Sequence, residues 1–334
     1  SDADRHALHV KRADEAYSLG ADPLAGYLNP QRLVSLAVET GCDALHPGYG
    51  FLSENAHLAE LCDEHGVKFI GPSAEVIRRM GDKTEARRSM IAAGVPCTPG
   101  TEGNLADLAQ AISEAERIGY PIMLKATSGG GGRGIRRCNS REELEQAYPR
   151  VISEATKAFG SAEVFLEKCI VNPKHIEAQI LADSFGNTVH LYERDCSIQR
   201  RNQKLIEIAP SPQLTPEQRA YIGEMAVRAA KAVGYENAGT VEFLLTGDEV
   251  YFMEMNTRVQ VEHTITEEIT GIDIVREQIR IASGLPLSVK QEDIRHHGFA
   301  LQFRINAEDP KNNFFPSFGK ITRYYAPGGP GVRT

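Results

Sequence analysis

The sequence predicts a fold that combines α/β and α+β parts, with a parallel sheet first and antiparallel hairpins after it. Residues 1 to about 80 alternate strand and helix patterns, which is typical of a parallel sheet covered by helices. From about residue 121 onward, apolar strand patterns are joined by short turns, as in antiparallel sheets. The chain has 334 residues, which is too long for one ordinary core and indicates two or three domains.

Helix and strand boundaries in the first part of the chain are marked by capping residues and glycines. Asn29 followed by Pro30 predicts a helix N-terminus, because asparagine caps the first turn and proline fits inside it. Short strands are predicted at 42–45 and 67–70, with a helix at 53–65 between them. The glycine-rich turn that follows the first of these strands indicates, by itself, only a tight loop.

A compact unit of helices and strands is predicted from residue 97 to about 170. One helix is expected at 105–118, and a longer helix opens with a capping box at Ser140. The strands predicted in this unit are 121–126, 134–138 and 164–167.

The most distinctive local pattern is the run Ser128-Gly-Gly-Gly-Gly-Arg133-Gly134. Consecutive glycines leave room for backbone N–H groups to close on phosphate oxygens. A P-loop or a dinucleotide fingerprint would open a helix, whereas this run joins two predicted strands. We therefore expect it to cover a phosphate group that Lys125 also reaches; the alternative is a flexible linker. The covering residues would be Gly129, Gly130, Gly131 and Gly132.

A second pattern places acidic side chains on an apolar hairpin. Strands are predicted at 240–245 and 250–256, and they carry Glu242, Glu254 and Asn256. Glu254 and Asn256 are two residues apart, so both side chains face the same side of their strand. Mg²⁺ prefers hard oxygen ligands, so we expect these three residues to hold it. The alternative is a strand with one hydrated face, which the apolar neighbours disfavour.

The turn between these strands decides whether Glu242 and Glu254 can share a cation. A two-residue turn at residues 247 and 248 would oppose Glu242 to Met253 and send the two carboxylates to opposite faces. A three-residue turn at 247–249 would place Glu242 directly opposite Glu254. We therefore predict the three-residue connection, or another of the same parity.

Three further charged segments are ambiguous when each is taken alone. Glu167-Lys168-x-Ile170 follows a strand and could be a surface ion pair. Residues 193–204, Glu-Arg-Asp-Cys-Ser-Ile-Gln-Arg-Arg-Asn-Gln-Lys, could be a solvated turn. Arg304 in Arg-Ile-Asn-Ala-Glu-Asp could belong to a salt bridge within a sheet.

Together these segments resemble biotin carboxylases, a family of the ATP-grasp superfamily. The string Glu-Met-Asn-Thr-Arg-Val-Gln-Val-Glu-His, from Glu254 to His263, is similar to the metal and bicarbonate site of that family. The glycine run, the turn that begins at His46 and the Arg304 segment are also similar to family motifs, and the resemblance covers essentially the whole chain. Asn202 departs from the pattern, because it stands where histidine is usual; asparagine can donate to a phosphate or ribose but cannot be protonated.

The resemblance implies an ATP-grasp fold with a parallel-sheet (pre-ATP-grasp) domain before it and a β-rich domain after it. Residues 1–80 would form the first domain, without the opening strand–helix–strand unit of the family. Residues 81–285 would form the ATP-grasp domain, with a mobile lid at about 98–170. Residues 286–334 would be the start of a truncated carboxyl-terminal domain.

The resemblance also implies a role for each motif residue. Arg258 would bind bicarbonate as a planar fork, Glu262 would take its proton, and Arg304 would stabilise the biotin oxygen. Lys204 would be the fourth catalytic residue. The residues implied in binding the nucleotide are Lys83, Lys125, Gly129, Gly130, Gly131, Gly132, Glu167, Lys168, Ile170, His175, Gln199, Asn202, Gln260 and Val261.

The implied reaction is the ATP-dependent carboxylation of biotin by bicarbonate, with Mg²⁺ or Mn²⁺ as the metal. Bicarbonate would attack the γ-phosphate to give carboxyphosphate, which yields CO₂ for capture by the biotin nitrogen. The implied partners are a biotin carboxyl carrier protein or domain and a carboxyltransferase subunit, and the complete protein would be a homodimer. The acyl acceptor stays open among acetyl-CoA, propionyl-CoA and pyruvate, with some phrases closer to pyruvate carboxylases.

Three other interpretations stay open from the sequence. The nearest is another ATP-grasp ligase that forms an acyl phosphate, such as a carbamoyl-phosphate synthetase, although the segment from Arg258 to Glu262 argues against it. A dinucleotide-binding oxidoreductase is disfavoured because the glycine run joins two strands. An inactive nucleotide-binding fragment is the third, since we expect pieces of the family's fold to be missing at both ends.

Composition argues against several other classes of protein. The net charge is −8 and no basic run is present, so no nucleic-acid partner is expected. No apolar segment reaches membrane-spanning length and no signal-peptide pattern is present, so we expect no membrane partner. The expected location is the cytoplasm, or the mitochondrial matrix in a eukaryote. The six cysteines lie far apart, which favours buried thiols over zinc ligands or disulfides.

The glycine run generates a prediction about lid closure. If residues 98–170 close on ATP, amide hydrogen exchange in residues 128–134 slows when ATP is added. Hydrogen-exchange mass spectrometry with and without ATP measures this difference. Equal protection in the two states would contradict the lid.

Overall fold

The computed structural model describes residues 1–127 and 134–334. The predicted combination of α/β and α+β parts is confirmed, because a parallel strand pair comes first and antiparallel sheets follow it. The chain forms two compact units, Ser1–Gln302 and Phe303–Thr334. Within the described residues, no helix combines the length and the apolar character needed to cross a membrane.

Helices and strands are numbered separately in chain order. The helices are α1 (Leu8–Arg12), α2 (Pro30–Glu39), α3 (Ala56–Glu64), α4 (Ala74–Gly81), α5 (Lys83–Ala92), α6 (Leu108–Ile118), α7 (Arg141–Phe159), α8 (Pro216–Ala232), α9 (His263–Thr270) and α10 (Ile274–Ala282). The strands are β1 (Ala44–Leu45), β2 (Lys68–Phe69), β3 (Ile122–Ala126), β4 (Ile135–Cys138), β5 (Val164–Lys168), β6 (Lys174–Ala182), β7 (Thr188–Arg200), β8 (Gln203–Ala209), β9 (Asn237–Thr246), β10 (Glu249–Asn256), β11 (Ala300–Phe303), β12 (Glu308–Asp309) and β13 (Phe315–Pro316). Short 3-10 helices cover Asp2–Asp4, Gln291–Asp293 and Pro310–Asn312.

The first part of the structure is built around the parallel pair β1 and β2. Helices α2, α3 and α4 pack with this pair around a shared apolar core. Helix α2 begins as predicted, with Pro30 in its first turn and the Asn29 side chain accepting a backbone hydrogen bond. Helix α3 begins at Ala56, later than predicted, because the Asn55 side chain caps its first turn.

The segment expected to act as a lid has a sheet and a core of its own. Strands β4, β3 and β5 form an antiparallel sheet in that order, and α6 and α7 pack against it. The buried apolar side chains of these five elements form a separate cluster. The Ser140 side chain caps α7, as predicted. The closure of this segment on ATP stays a prediction.

The largest sheet has six strands in the order β10-β9-β6-β7-β8-β11. The neighbours from β10 to β8 are antiparallel to one another. Helix α8 packs on β6 and β7, and the largest apolar core lies between them. Helix α9 packs against β7 and β8, while α10 packs against β9. The sheet is therefore covered by helices and carries the polar residues of the site on its central strands.

The hairpin of β9 and β10 differs from the prediction in the length of its turn but agrees with it in the pairing of Glu242 with Glu254. The predicted three-residue turn is wrong, because the strands are joined by the two residues at 247 and 248. A β-bulge between Phe252 and Glu254 then shifts the pairing by one residue. As a result Glu242 pairs with Glu254, as predicted. The Phe252 N–H at the bulge donates to the carbonyl of Pro96, a residue far away in sequence, so local turn chemistry could not have shown the bulge.

The six cysteines are all free. Cys62, Cys138, Cys169 and Cys196 are buried, in agreement with the expected small buried thiols, whereas Cys42 is exposed.

The second compact unit contains the antiparallel pair β12 and β13. Glu308 pairs with Pro316, and Asp309 pairs with Phe315. Arg304 belongs to this unit, and its proposed contact with biotin stays a prediction.

Candidate active site

The register of the large sheet places charged residues in one row across four adjacent strands, which we call the acidic row. Glu254 on β10 pairs with Glu242 on β9, and Glu242 pairs in turn with Glu177 on β6. Glu177 pairs with Arg194 on β7. Directly paired residues face the same side of a sheet, so three carboxylates lie side by side. Like charges this close are unfavourable unless cations lie among them.

Lys204 on β8 supplies one cation to the acidic row. Its Nζ donates to Glu177 Oε2 at 2.5 Å, to Glu242 Oε1 at 2.8 Å and to Glu262 Oε1 at 2.9 Å. These three bonds use all three N–H groups of the ammonium. Burial lowers the pKa of Lys204, but the surrounding carboxylates outweigh burial and raise it, so the side chain keeps its charge. Lys204 thereby brings the predicted base, Glu262, to the acidic row.

Glu242 accepts several hydrogen bonds besides the one from Lys204. Its Oε1 accepts from Asn256 Nδ2 at 2.8 Å and from Gln260 Nε2 at 3.1 Å. Its Oε2 accepts from His175 Nε2 at 2.6 Å. Burial by itself would raise the pKa of Glu242, but the charge of Lys204 and the bond from His175 lower it. Glu242 is therefore ionised at neutral pH.

His175 and Gln199 hold each other in place behind Glu242. Gln199 Nε2 donates to His175 Nδ1 at 2.7 Å and to the carbonyl of Cys196 at 2.8 Å. These bonds leave Nδ1 of His175 as an acceptor, so its ring N–H is on Nε2 and points at Glu242. Both residues were predicted at the nucleotide site; the structure places His175 against a predicted metal ligand and Gln199 behind His175.

Glu254 is stabilised less by neighbouring positive charges than Glu242 is. Burial and the charge of Glu242 raise the pKa of Glu254, and Lys83 and Lys204 only partly oppose this. An ionised carboxylate at this end of the row is therefore short of positive charge. Together with Glu242 and the amide of Asn256, Glu254 offers the hard oxygen atoms that Mg²⁺ takes, so the predicted metal ligands fit a divalent cation.

Two other groups of possible ligand atoms lie within 4.8 Å of one another: His175, Glu177 and Glu242, and Glu177, Cys196 and Glu262. Lys204 donates to both carboxylates of each group, so its ammonium already occupies the position where a cation would be attracted.

Arg258 is oriented by the acceptors around it. Its Nε donates to Glu54 Oε2 at 2.9 Å, and its Nη2 donates to Asn256 Oδ1 at 3.2 Å. Glu54 belongs to the turn that follows His46, and its other oxygen accepts from the backbone N–H of Thr257 at 3.0 Å. The turn that indicated only a tight loop in the sequence therefore fixes the segment that carries Arg258.

The residues expected on the ATP side lie mainly on α5, β3 and β5. Lys125 and Glu167 form an ion pair, and Lys168 Nζ donates to the backbone carbonyls of residues 119 and 120 at 2.8 and 3.0 Å. Burial lowers the pKa of Lys83, while Glu254 opposes this. Ile170, two residues after β5, is half-buried.

Val261 and the glycine run also belong to the residues predicted at the nucleotide site. Val261 is half-buried in the turn before α9. The predicted phosphate-covering residues Gly129, Gly130, Gly131 and Gly132 lie outside the described residues.

Asn202 lies in the two-residue turn between β7 and β8, where Arg200 pairs with Gln203. The turn residues Arg201 and Asn202 have φ angles of 54° and 64°, and the Asn202 side chain is exposed. Asparagine adopts positive φ more readily than most residues, which suits this turn. Asparagine therefore fits the backbone of this turn in place of the usual histidine.

Sequence reasoning missed three residues that organise the site: Glu177, Arg194 and Glu54. Glu177 lies two residues after His175 on the same face of β6, which period-two alternation could have shown. Arg194 was present in the charged segment at 193–204, and its burial inside the sheet was the missing information.

Three family models match this chain. They are the carbamoyl-phosphate synthase L chain ATP-binding domain at residues 82–290, the biotin carboxylase N-terminal domain at residues 1–77 and the biotin carboxylase C-terminal domain at residues 302–334. Together with the acidic row and the separate small sheet, these three family models define the protein as an ATP-dependent ligase of the ATP-grasp class.

Similar proteins with assigned names identify the family within this class. The 2-oxoglutarate carboxylase small subunit of Hydrogenobacter thermophilus is 59% identical over 330 residues, which is 98% of this chain and 70% of the relative. Biotin carboxylase 1 of Bacillus subtilis is 55% identical over 338 residues, which is 100% of this chain and 75% of the relative. The chain therefore belongs to the biotin carboxylase family.

Solved structures agree with this assignment. The biotin carboxylase domain dimer of Hydrogenobacter thermophilus 2-oxoglutarate carboxylase, in complex with MgADP, ADP and bicarbonate, has a TM-score of 0.94 and 58% identity, covering 98% of this chain and 73% of that one. A biotin carboxylase complex with β-γ-ATP from Campylobacter jejuni has a TM-score of 0.94 and 48% identity, covering 98% and 74%.

The charge deficit at Glu254 generates a prediction about stability. Without divalent cation, E254Q should raise the melting temperature by about 1–3 °C, because an unfavourable, half-buried charge is removed. The folded pKa of Glu254 is raised, so the penalty grows as the pH rises through it; the gain should be larger at neutral pH than in mild acid. Thermal unfolding at the two pH values measures this.

The matched control is E249Q, which neutralises an exposed carboxylate on the same strand and should leave the melting temperature unchanged. With Mg²⁺ and nucleotide added, E254Q should gain less stability than wild type. Equal stabilisation of both proteins by Mg²⁺ and nucleotide would remove Glu254 from the metal site.

Proposed function

We propose that this protein carboxylates biotin with bicarbonate and ATP through a carboxyphosphate intermediate. The observation that carries the proposal is the contact of Lys204 with both the acidic row and Glu262, on the segment that also carries Arg258. These contacts bring the Glu262 carboxylate and the Lys204 ammonium to the acidic row, and the Arg258 guanidinium donates to Asn256 beside it. This arrangement suits an acid–base step coupled to phosphoryl transfer.

Glu262 is proposed to take the proton of bicarbonate. Its side chain is buried, and the bond from Lys204 fixes one carboxylate oxygen at 2.9 Å. Loss of the proton makes the bicarbonate oxygen a better nucleophile toward the γ-phosphate. Because most of catalysis in phosphoryl transfer is positioning and charge stabilisation, a rigid base in this network is well suited to the step.

Arg258 is proposed to hold bicarbonate while this happens. A guanidinium is planar and matches a planar anion with paired N–H donors. The bonds from Arg258 to Glu54 and Asn256 fix the plane of its side chain before the substrate arrives. Orientation fixed in advance lowers the entropy cost of binding the anion.

The proposed metal ligands are Glu242, Glu254 and Asn256. When bound, the metal ion neutralises phosphate charge and orients the phosphates for transfer. Lys83 and Lys125 are proposed to bind phosphate oxygens from the ATP side, and Arg304 to stabilise the oxygen of biotin.

The partners and the acyl acceptor are also part of the proposal. A pyruvate carboxylase subunit of Methanothermobacter thermautotrophicus is 52% identical over 334 residues, covering 100% of this chain and 68% of the relative. This relative and the 2-oxoglutarate carboxylase small subunit both belong, by name, to 2-oxo acid carboxylases. We therefore favour a 2-oxo acid as acceptor, with a biotin carboxyl carrier and a carboxyltransferase as partners and a homodimer as the assembly.

The proposal is tested by the bicarbonate and biotin dependence of ATP cleavage. The complete subunit with Mg²⁺ and ATP should release ADP only when bicarbonate is present, and free biotin should accelerate the release. ADP release at the same rate with and without bicarbonate would refute the proposed function. Assays of the subunit with its co-purified carboxyltransferase, using pyruvate, 2-oxoglutarate or acetyl-CoA, would identify the acceptor.

Replacement of the base provides a sharper prediction. E262Q keeps the shape of the side chain but cannot take a proton, so bicarbonate-dependent turnover should fall by about 100-fold or more. The KM for ATP should stay near that of wild type, because Glu262 is not expected to contact the nucleotide. Steady-state kinetics measures both values.

E268Q is the matched control, because it neutralises an exposed carboxylate on the adjoining helix α9 and should leave turnover unchanged. Near-normal turnover of E262Q would show that another group is the base.

A further inference from the structure

Arg194 is a fully buried charged side chain that the proposed reaction does not use. It has 0% exposure and is the largest of the fully buried side chains in the described part of the chain. A buried guanidinium is costly unless its donors are paired. Its retention inside the sheet, next to the acidic row, therefore calls for a physical reason.

All five N–H groups of Arg194 have acceptors. The guanidinium donates from Nε to Glu177 Oε1 at 2.5 Å, from Nη1 to Gln179 Oε1 at 2.8 Å and Thr266 Oγ1 at 2.9 Å, and from Nη2 to Thr240 Oγ1 at 3.2 Å and Gln260 Oε1 at 3.0 Å. These acceptors lie on β6, β9, α9 and the turn before α9. Because every donor is used, Arg194 has none left for ATP or bicarbonate and must act through its neighbours.

Two of these acceptors contact the reacting groups with their other ends. The second oxygen of Glu177 accepts from Lys204 at 2.5 Å. The carbonyl of Gln260 faces Arg194, so its amide Nε2 is turned toward Glu242 and donates to it at 3.1 Å. The guanidinium therefore decides which way the Gln260 amide points and where the Glu177 carboxylate lies.

We propose that Arg194 is a positioning residue for the carboxylation reaction, which orients Glu177 and Gln260 and through them places Lys204 and Glu262. This inference rests on the proposed function. The charge persists in the folded protein: burial lowers the pKa of Arg194, but the charges of Glu177 and Glu262 outweigh burial and raise it. A planar fork bonded to two strands, a turn and a helix holds its partners more tightly than a single ammonium could.

The test compares R194K, which keeps the charge but loses the fork, with R194Q, which loses both. Turnover in bicarbonate-dependent ATP cleavage should fall about tenfold in R194K and about 100-fold in R194Q, as expected for displaced catalytic groups. The KM for ATP should change less than turnover, because Lys83 and Lys125, which are proposed to bind its phosphates, lie on α5 and β3. Rates are divided by the folded fraction measured by circular dichroism.

Arg219 provides the matched control on the opposite face of the same sheet. It donates to Glu193 Oε1 at 2.8 Å and to the carbonyl of Ser211 at 3.0 Å, and Glu193 is the sequence neighbour of Arg194. R219K and R219Q should lower stability but keep turnover per folded molecule within about twofold. If R194Q behaves like R219Q, the role of Arg194 is only structural and the inference is overturned.

A second pair of variants decides the matter if R194Q and R194K do not fold. T266V removes one acceptor of Arg194 with little change of shape and should lower turnover about threefold. T264V, on the same helix, removes a hydroxyl that donates to Gln302 and should have no effect. Equal turnover of these two variants would overturn the inference.

The failure of this inference can be told apart from the failure of the proposed function. A wild-type protein without bicarbonate-dependent ATP cleavage would overturn the proposed function itself. An active wild type with unaffected variants would overturn the role of Arg194 alone.

Discussion

Repulsion among three carboxylates in register is the constraint on which the rest of the site depends. Glu177, Glu242 and Glu254 lie opposite one another on adjacent strands, so their charges meet in a largely buried environment. Such a row is stable only if cations or protons balance it. Arg194 and Lys204 supply positive charge at the end formed by Glu177 and Glu242.

The acidic row is not neutralised evenly, because its two ends receive different amounts of positive charge. Lys204 and His175 lower the pKa of Glu242, whereas burial and Glu242 itself raise the pKa of Glu254. The protein's own cations therefore neutralise one end and leave the other in need of charge. A divalent cation at Glu254 would complete the balance, so the row can hold the fixed ammonium at one end and accept the proposed metal ion at the other.

Elements distant in sequence fix Arg258, the arginine proposed to bind bicarbonate. Glu54, from the part built on the parallel strands, holds both the side chain of Arg258 and the backbone of Thr257. In the same part, His46 Nε2 lies 3.1 Å from Gln278 Oε1 on α10. The first part of the chain thus supports the segment that carries Arg258, and these contacts account for the motif that begins at His46.

The sequence by itself determined the class of fold, the hairpin that bears Glu242 and Glu254, and the segment from Arg258 to Glu262. These features follow from alternation, turn residues and short motifs, all of which act over a few neighbouring residues. Only the tertiary structure decided the register of the hairpin, because the β-bulge at Phe252 accompanies a hydrogen bond to the distant Pro96. It also decided the roles of Glu177, Arg194 and Glu54, since whether a charged residue is buried, and with which partners, depends on how strands far apart in the chain are paired.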